Sequence, residues 1–171
     1  GNNARWTVTN GLYIGGDAAS AGGLGSLTVT GGGTLTVAGL TKVWQTGSLL
    51  VGNGGTFATG TLALVAGSSF TVAAGGSFTG AVETIGNYVL NGTLTGNVTV
   101  ETGGTFAGAG KLLGNAAVAG GAQLGGTPVI VGSISGAGLV SPGNSPGVMD
   151  AEQIDPTSGL DVLSPCTAAN P

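Results

Sequence analysis

Apolar and polar residues alternate with a period of two in short segments that are bounded by glycines. The segments share one motif: Gly or Ser, then Ser or Thr, an apolar residue, Thr or Ala (Leu50 in one segment), and in most cases a second apolar residue. This alternation predicts half-buried β-strands of about five residues, with glycine-containing turns between them. The motif is found at residues 25–29, 33–37, 47–51, 55–59, 60–64, 68–72, 76–80, 92–96 and 104–108.

The apolar residues also recur at a longer and nearly constant spacing along the chain. One ladder contains Trp6, Leu27, Leu49, Phe70, Leu90 and Leu112. A second contains Ile14, Leu35, Phe57, Phe78, Val98 and Val118. A third and fainter ladder contains Leu62, Val82 or Ile85, Phe106 and Leu124.

Recurrence at a fixed period is typical of stacked coils in which each repeat buries its apolar face against its neighbours. The sequence therefore predicts an all-β protein: a parallel β-helix (β-solenoid) with a coil of about 21 residues and six to seven coils. A β-sandwich or barrel is the alternative fold, but it requires hairpin signals and gives no reason for the ladders. A glycine-rich disordered matrix protein is the third interpretation.

The two ends differ from the repetitive middle. We expect solenoid repeats over residues 1–140, then a turn and a C-terminal cap or hairpin over 141–163, then a tail over 164–171. Trp6 is expected to be the first core residue or a cover over the open end of the core. Two prolines and two glycines within residues 141–147 end the ladder, and residues 148–163 hold four of the seven acidic side chains.

Composition agrees with stacking and excludes other classes. The 171 residues include 38 Gly, 3 Lys+Arg and 7 Asp+Glu. Glycine at this density disfavours helical bundles, and its lack of a three-residue period excludes collagen. Like charges would repel when coils stack about 4.8 Å apart, which explains their scarcity.

The charges also restrict the partners. With a net charge of −4 and only Arg5, Lys42 and Lys111 as cations, we expect no nucleic-acid binding, because no basic stripe can neutralise a phosphate backbone. No apolar run is long enough for a membrane-spanning helix, so no membrane insertion is expected. The first residues lack the features of a signal peptide, which favours a mature product or an excised piece. Cys166 is expected to be incidental, with intermolecular pairing as the alternative.

Catalytic chemistry finds little support. Without histidine the chain cannot form a Ser-His-Asp triad or a histidine-rich zinc site, and we predict no catalytic residues, no cofactor and no metal. Glu83 and Glu101 are separated by nearly one coil and could face each other on adjacent coils, although solvated acids on turns are the simpler interpretation. The acids Asp150, Glu152 and Asp155 could gather a Ca²⁺ ion, but their spacing is not that of an EF-hand loop.

Two other patterns leave alternative functions open. A carbohydrate-binding or carbohydrate-cleaving β-helix would present exposed aromatic side chains, for which Trp44 and Tyr88 are the candidates; a core or corner position is favoured for Trp44. Outward threonine rows would resemble the surface of an ice-binding solenoid. The rows predicted on successive coils are Thr34/Thr36, Thr56/Ala58, Ser77/Thr79 and Asn97/Thr99.

The run at residues 136–147, which ends in Pro-Gly-Asn-Ser-Pro-Gly, resembles an element of bacterial autotransporter passenger regions. There the element follows Gly-Thr-Leu-Thr-Val repeats such as those of residues 25–118. The resemblance implies a secreted or cell-surface bacterial protein. The low charge and the open solenoid ends lead us to expect a structural role, as a rigid stalk of an adhesin or as a subunit of an extracellular fibre that grows by head-to-tail self-association. Contacts with surfaces or polysaccharides are a further expectation. No translocating barrel follows in this sequence, so self-secretion is not part of the expectation.

Overall fold

The computed structural model describes residues 3–143, 149–155 and 159–162. These residues form strands and no helix. The strands are β1 (Arg5–Val8), β2 (Leu12–Ile14), β3 (Gly25–Val29), β4 (Thr34–Val43), β5 (Gly47–Val51), β6 (Thr56–Leu64), β7 (Ser69–Val72), β8 (Ser77–Thr84), β9 (Asn87–Leu90), β10 (Thr93–Thr95), β11 (Val98–Val100), β12 (Thr105–Gly108), β13 (Lys111–Leu113), β14 (Ala116–Val118), β15 (Gln123–Gly125), β16 (Val129–Gly136), β17 (Leu139–Ser141), β18 (Asp150–Ile154) and β19 (Asp161–Val162).

The strands form two sheets, and every pairing between named strands is parallel. Sheet 1 has 11 strands: β1, β2, β4, β6, β8, β10, β11, β13, β14, β16 and β18. Sheet 2 has eight strands, in the order β19-β17-β15-β12-β9-β7-β5-β3. The chain therefore winds as a parallel β-solenoid of about six turns with coils of about 20 residues. The predicted fold class is confirmed, and the sandwich alternative is wrong because a sandwich needs antiparallel neighbours.

The core is a set of columns in which inward residues of successive coils pair with one another. The principal column of sheet 1 contains Trp6, Leu35, Phe57, Phe78, Leu94, Leu112, Ile130 and Ala151. The facing column of sheet 2 contains Leu27, Leu49, Phe70, Tyr88, Phe106, Leu124, Val140 and Val162. Most of these side chains are completely buried, and exposure rises only at the two ends of each column.

Aromatic rings occupy the middle of this core. Phe78 lies 5.2 Å from Phe57 in its own sheet and 5.1 Å from Phe70 in the facing sheet, measured between ring centroids. Tyr88 is stacked between Phe70 and Phe106, at 4.9 Å from each. These are favourable offset or edge-on geometries, so the two sheets are joined by ring contacts as well as by aliphatic packing.

The predicted ladders hold for three coils and then fail. Leu27, Leu49 and Phe70 share a column, as do Leu35, Phe57 and Phe78. In the third ladder Val82 is the residue that pairs with Leu62, because Ile85 is 44% exposed. The other assignments are wrong because the coil length is not constant. Trp6 pairs with Leu35, Ile14 with Val43, Leu90 with Val72, Leu112 with Leu94, Val98 with Val82, and Val118 with Val100; Phe106 and Leu124 belong to sheet 2, away from Leu62.

Coil length changes along the chain. In the N-terminal coils (residues 25–84) the step between paired residues is 22 from Leu35 to Phe57 and 21 from Phe57 to Phe78. In the C-terminal coils (residues 85–141) the step is 18 from Leu94 to Leu112 and again 18 to Ile130. In the coil that joins the two regions the step in sheet 1 is shorter still, because Leu94 pairs with Phe78, which lies only 16 residues before it. A constant spacing of 21 therefore drifts out of register after Phe78.

The corner within sheet 1 explains part of the shortening: six residues separate Leu35 from Thr41, but only four separate Leu94 from Val98. The turn from sheet 2 to sheet 1 also shortens, from eight residues between Leu49 and Phe57 to six between Phe106 and Leu112.

In the N-terminal coils β4 and β6 run through the sheet 1 corner as long strands with a register shift. In the C-terminal coils the same stretch divides into β10 and β11, and into β13 and β14, around the pairs Gly96-Asn97 and Gly114-Asn115. The Asn97 side-chain oxygen accepts a hydrogen bond of 2.9 Å from the Asn115 amide, and that of Asn115 accepts one of 2.9 Å from the Ser133 amide.

Glycine is required at this corner. Gly96 and Gly114 have φ angles of 141° and 154°, and a Cβ on either would meet the carbonyl oxygen of the corner glycine one coil before it. Residues with side chains rarely adopt such angles. The coils can stack closely here because the column contains only glycine.

Several sequence predictions concern residues outside the described ranges. Most of the Pro-Gly-Asn-Ser-Pro-Gly element (144–147 of 142–147), the 164–171 tail and Cys166 lie there. Within the described part, β18 continues sheet 1 by pairing with β16, and β19 continues sheet 2 by pairing with β17. The segment after residue 148 thus adds to both sheets, and β18 and β19 are not paired with each other as a hairpin.

Candidate functional site

The outward face of sheet 1 carries two rows of small side chains, all of them hydroxyl-bearing except Ala58. Thr34, Thr56, Ser77 and Thr93 form one row, and Thr36, Ala58, Thr79 and Thr95 form the other. The first three coils agree with the predicted rows. The fourth prediction, Asn97/Thr99, is wrong because these residues lie past the glycine corner, and Thr93/Thr95 take their place. The rows then end at Lys111 and Leu113.

Trp44 lies at a corner and is half-buried, as expected for a corner position. Its indole Nε1 donates a hydrogen bond of 2.8 Å to the Asp17 carbonyl oxygen. The Lys42 Nζ atom lies 3.6 Å from the centre of the Trp44 ring, a distance typical of a cation–π contact. Trp44 thereby anchors the loop at residues 15–24 to the solenoid. Part of the Trp44 surface is occupied by these contacts with Asp17 and Lys42.

Asp17 organises the same loop through its side chain. Its carboxylate accepts hydrogen bonds of 2.7 Å from the Ser20 amide and 2.8 Å from the Ala19 amide. These bonds stabilise the ionised form and lower the pKa of Asp17 below its ordinary value, the Ser20 amide having the largest effect. The carboxylate is fully exposed, and its role is to bind the backbone amides of its own loop.

The residues proposed for a carbohydrate site do not come together. Tyr88, predicted as a surface aromatic, is 1% exposed and belongs to the core, so this prediction is wrong. Glu83 is exposed on β8 but pairs with Thr99, because the coil is shorter here than the ladders predict. Glu101 lies in the turn after β11, two positions out of register with Glu83. The predicted facing pair of carboxylates is therefore not formed.

Tyr88 has one unusual property. Its hydroxyl group is buried and has no hydrogen-bond partner among the described residues, and burial raises the pKa of the phenol far above its ordinary value. The group faces the interior of the solenoid, where no ligand can reach it. The buried hydroxyl group therefore affects the stability of the fold and does not belong to a binding site.

The C-terminal acids are arranged along the edges of the solenoid. Asp150 and Glu152 are exposed on β18, and Asp161 is exposed on β19. Within residues 3–143, 149–155 and 159–162, no three Asp, Glu or Cys side chains gather closely enough to hold a metal ion. The acids instead give the C-terminal end face a negative charge.

The N-terminal end face contains a largely apolar groove. This groove of about 330 Å³ lies between β1 and β3 and is lined by Trp6, Leu27, Val29 and Leu35, with Arg5 at its margin. Trp6 is 51% exposed. Trp6 takes the first position of the principal sheet 1 column by pairing with Leu35, but half of its surface stays exposed at the open end.

Both end faces expose strand edges. β1 and β2 pair only with β4, and β3 pairs only with β5, among the described residues. At the other end, β18 pairs only with β16, and β19 only with β17, within the part of the chain that the structure describes. Sequence reasoning predicted exposed ends, but not which residues form them, since the registers of β1, β18 and β19 depend on irregular coils.

Comparison of the chain with protein-family models, with curated proteins and with solved structures gave no match. In the part of the chain that the structure describes, no helix is long and apolar enough to cross a membrane.

Proposed function

We propose that this chain is a non-enzymatic structural protein, a rigid β-solenoid rod of the bacterial cell surface or extracellular matrix. It would serve as the stalk of an adhesin or passenger, or as the subunit of an extracellular fibre. The observation that supports the proposal best is the uninterrupted pair of core columns, which extends from one end face to the other.

The corners support the same proposal. Stacked glycines leave no room for side chains, and backbone hydrogen bonds connect each coil to the next, for example from Thr56 N to Gly33 O at 2.9 Å and from Ser77 N to Gly55 O at 3.0 Å. A ladder with this many long-range bonds resists local opening, since each bond is supported by its neighbours. Low charge and abundant threonine suit an exposed protein that must resist proteases.

The surface location is supported by the resemblance of the Gly-Thr-Leu-Thr-Val repeats and the Pro-Gly-Asn-Ser-Pro-Gly element to passenger regions. It can be tested with the bacterium that encodes the chain. Antibody against the chain should label intact cells, and protease added outside should remove the label while a cytoplasmic marker persists. Labelling only after lysis would refute the location, and cleavage of polysaccharides by the pure chain would refute the structural role.

A second candidate is ice binding, and the specific observation in its favour is the threonine rows on sheet 1. Side chains about 4.8 Å apart within each row, and the two rows about 6.6 Å apart along the strands, form a regular array. If this face binds ice, the pure chain should show thermal hysteresis, and Thr79→Lys should abolish it. The matched control is Thr71→Lys, an outward position on sheet 2. Absence of hysteresis at high concentration would eliminate this candidate.

A further inference from the structure

We propose that copies of this chain associate head to tail, with β18 and β19 of one copy pairing in register with β1, β2 and β3 of the next. The inference rests on the proposed role as a rod and names its partner: a second copy of the same chain. The end faces carry this inference because they match each other in strand direction, register, shape and charge.

Strand direction is the first requirement. β1, β2 and β18 belong to sheet 1, and β3 and β19 belong to sheet 2. All of these strands join their sheets by parallel pairing. A second copy shifted along the axis would therefore extend both sheets in the same direction, without any reversal. Such a contact uses different surfaces on the two copies and repeats indefinitely, so it gives an open filament.

Register is the second requirement, and the core columns define it. Trp6 begins the principal column of sheet 1 and Ala151 ends it. Leu27 begins the facing column of sheet 2 and Val162 ends it. Stacking the copies column on column places Trp6 against Ala151 and Leu27 against Val162. A large ring then meets the smallest side chain of its column, so that there is space for it.

A third core column also has apolar residues at both of its ends. Leu12 begins the column that passes through Thr41 and Leu62 and ends at Ile154. Ile154 is 46% exposed and Val162 is 45% exposed, which is high for residues at inward positions. In the stacked arrangement both would be covered by aliphatic side chains of the next copy. Each end thus supplies apolar surface that the other end can bury.

Charge is the fourth requirement. The outward column next to Trp6 begins at Arg5 and ends at Asp150. In-register stacking brings these two side chains onto neighbouring strands about 4.8 Å apart, which suits an ion pair. Glu152 and Asp161 add negative charge to the same end face. Charges of this kind determine register and specificity more than affinity.

The test is a charge swap on the full chain, read by sedimentation velocity and electron microscopy. Wild type should form filaments as concentration rises. Arg5→Asp places two acids at the junction and Asp150→Arg places two cations there, so each variant alone should lose at least tenfold in association. An equimolar mixture of the two variants restores opposite charges at every junction and should recover filaments in which the copies alternate. Lys111→Asp, in the same column but in mid-stack, should assemble like wild type.

The outcomes are decisive either way, provided that circular dichroism shows each variant folded. A wild type that remains monomeric at high concentration overturns the proposal, as does assembly that Arg5→Asp leaves unchanged or a mixture that fails to recover. A monomeric chain that is still found on the cell surface would refute the end-to-end contact and leave the role as a rod intact. Location inside the cell would refute the role and leave the contact to be judged by sedimentation alone.

Discussion

The N-terminal and C-terminal coils solve the same stacking problem with different corners. In the N-terminal coils, β4 and β6 pass through the corner with a register shift, and the interior holds a buried Thr41–Thr59 hydrogen bond of 3.0 Å. In the C-terminal coils a glycine and an asparagine replace that stretch, and the step is 18 residues. The comparison teaches that the corner and the turn between the sheets together determine coil length, while the core columns continue through the change.

The largest expected effect concerns the principal column of sheet 1, in which Phe57 and Phe78 of the N-terminal coils are followed by Leu94 and Leu112 in the C-terminal coils. Phe78→Ala should destabilise the protein by roughly 3–5 kcal/mol because it leaves a cavity and breaks ring contacts with Phe57 and Phe70. Leu112→Ala, in the same column of the C-terminal coils, should cost less because no ring contact is lost. Denaturant unfolding followed by circular dichroism measures both. Equal losses of stability in the two variants would show that the ring contacts contribute nothing beyond hydrophobic burial.

The next effect tests the corners directly. Gly96→Ala should cost about 3 kcal/mol, because a side chain is strained at its φ and would meet the Gly80 carbonyl oxygen. Gly60 occupies the equivalent corner of the N-terminal coils, where the nearest atom to a new Cβ is 3.5 Å away. Gly60→Ala should therefore be neutral or stabilise by about 0.4–1 kcal/mol. Thermal melting of the pair provides the test, and similar losses at both corners would contradict the distinction.

A smaller effect is expected for the asparagine. Asn115 accepts hydrogen bonds from the Ser133 amide at 2.9 Å and from the Ser133 hydroxyl at 3.1 Å. Asn115→Ala should cost about 1–2 kcal/mol, with faster hydrogen exchange at the Ser133 amide. Asn115→Asp keeps the acceptor oxygen and should retain most of the stability and protection. Unchanged exchange in the alanine variant would show that the side chain does not connect the coils.

The smallest effect lies where the two regions meet, at Tyr88. Tyr88→Phe removes a buried hydroxyl without a partner among the described residues and should stabilise the chain by about 1 kcal/mol at neutral pH. The difference in stability between the Tyr88→Phe variant and the wild type should increase above pH 10. There the unfolded tyrosine loses its proton while the folded one keeps it, so stability falls as pH rises, by about 1.4 kcal/mol per pH unit. Parallel pH titrations of unfolding measure the difference, and parallel curves for the two proteins would contradict it.

Sequence periodicity was sufficient for the fold class and for three coils. Leu35, Phe57 and Phe78 are almost equally spaced because the turns between the sheets keep the same length in these coils: eight residues separate Leu49 from Phe57 and Phe70 from Phe78. The drift begins at Leu90, since a shorter coil moves Tyr88 into the column and leaves Leu90 at the next inward position. Short Gly-Thr segments fit several registers equally well, so only contacts between coils decide among them.

The candidate surfaces were less predictable for the same reason. Asn97 was assigned to the threonine rows because of its spacing, whereas its side chain serves the corner. The match between Arg5 and Asp150 could not be read from spacing at all. The excursion at residues 15–24 lengthens the first coil, and Trp6 consequently pairs with Leu35 instead of sharing a column with Leu27. Irregular segments of this kind leave no period in the sequence.

The central claim, that the coil shortens where the two regions meet and so shifts the register, can be tested by disulfide crosslinking with Cys166 replaced by Ser. Glu83→Cys with Thr99→Cys places two cysteines on paired positions, about 4.8 Å apart and within disulfide range. Glu83→Cys with Glu101→Cys offsets them by two positions along the strand. We predict rapid intramolecular crosslinking of the 83/99 pair and little of the 83/101 pair, and the reverse result would contradict the account.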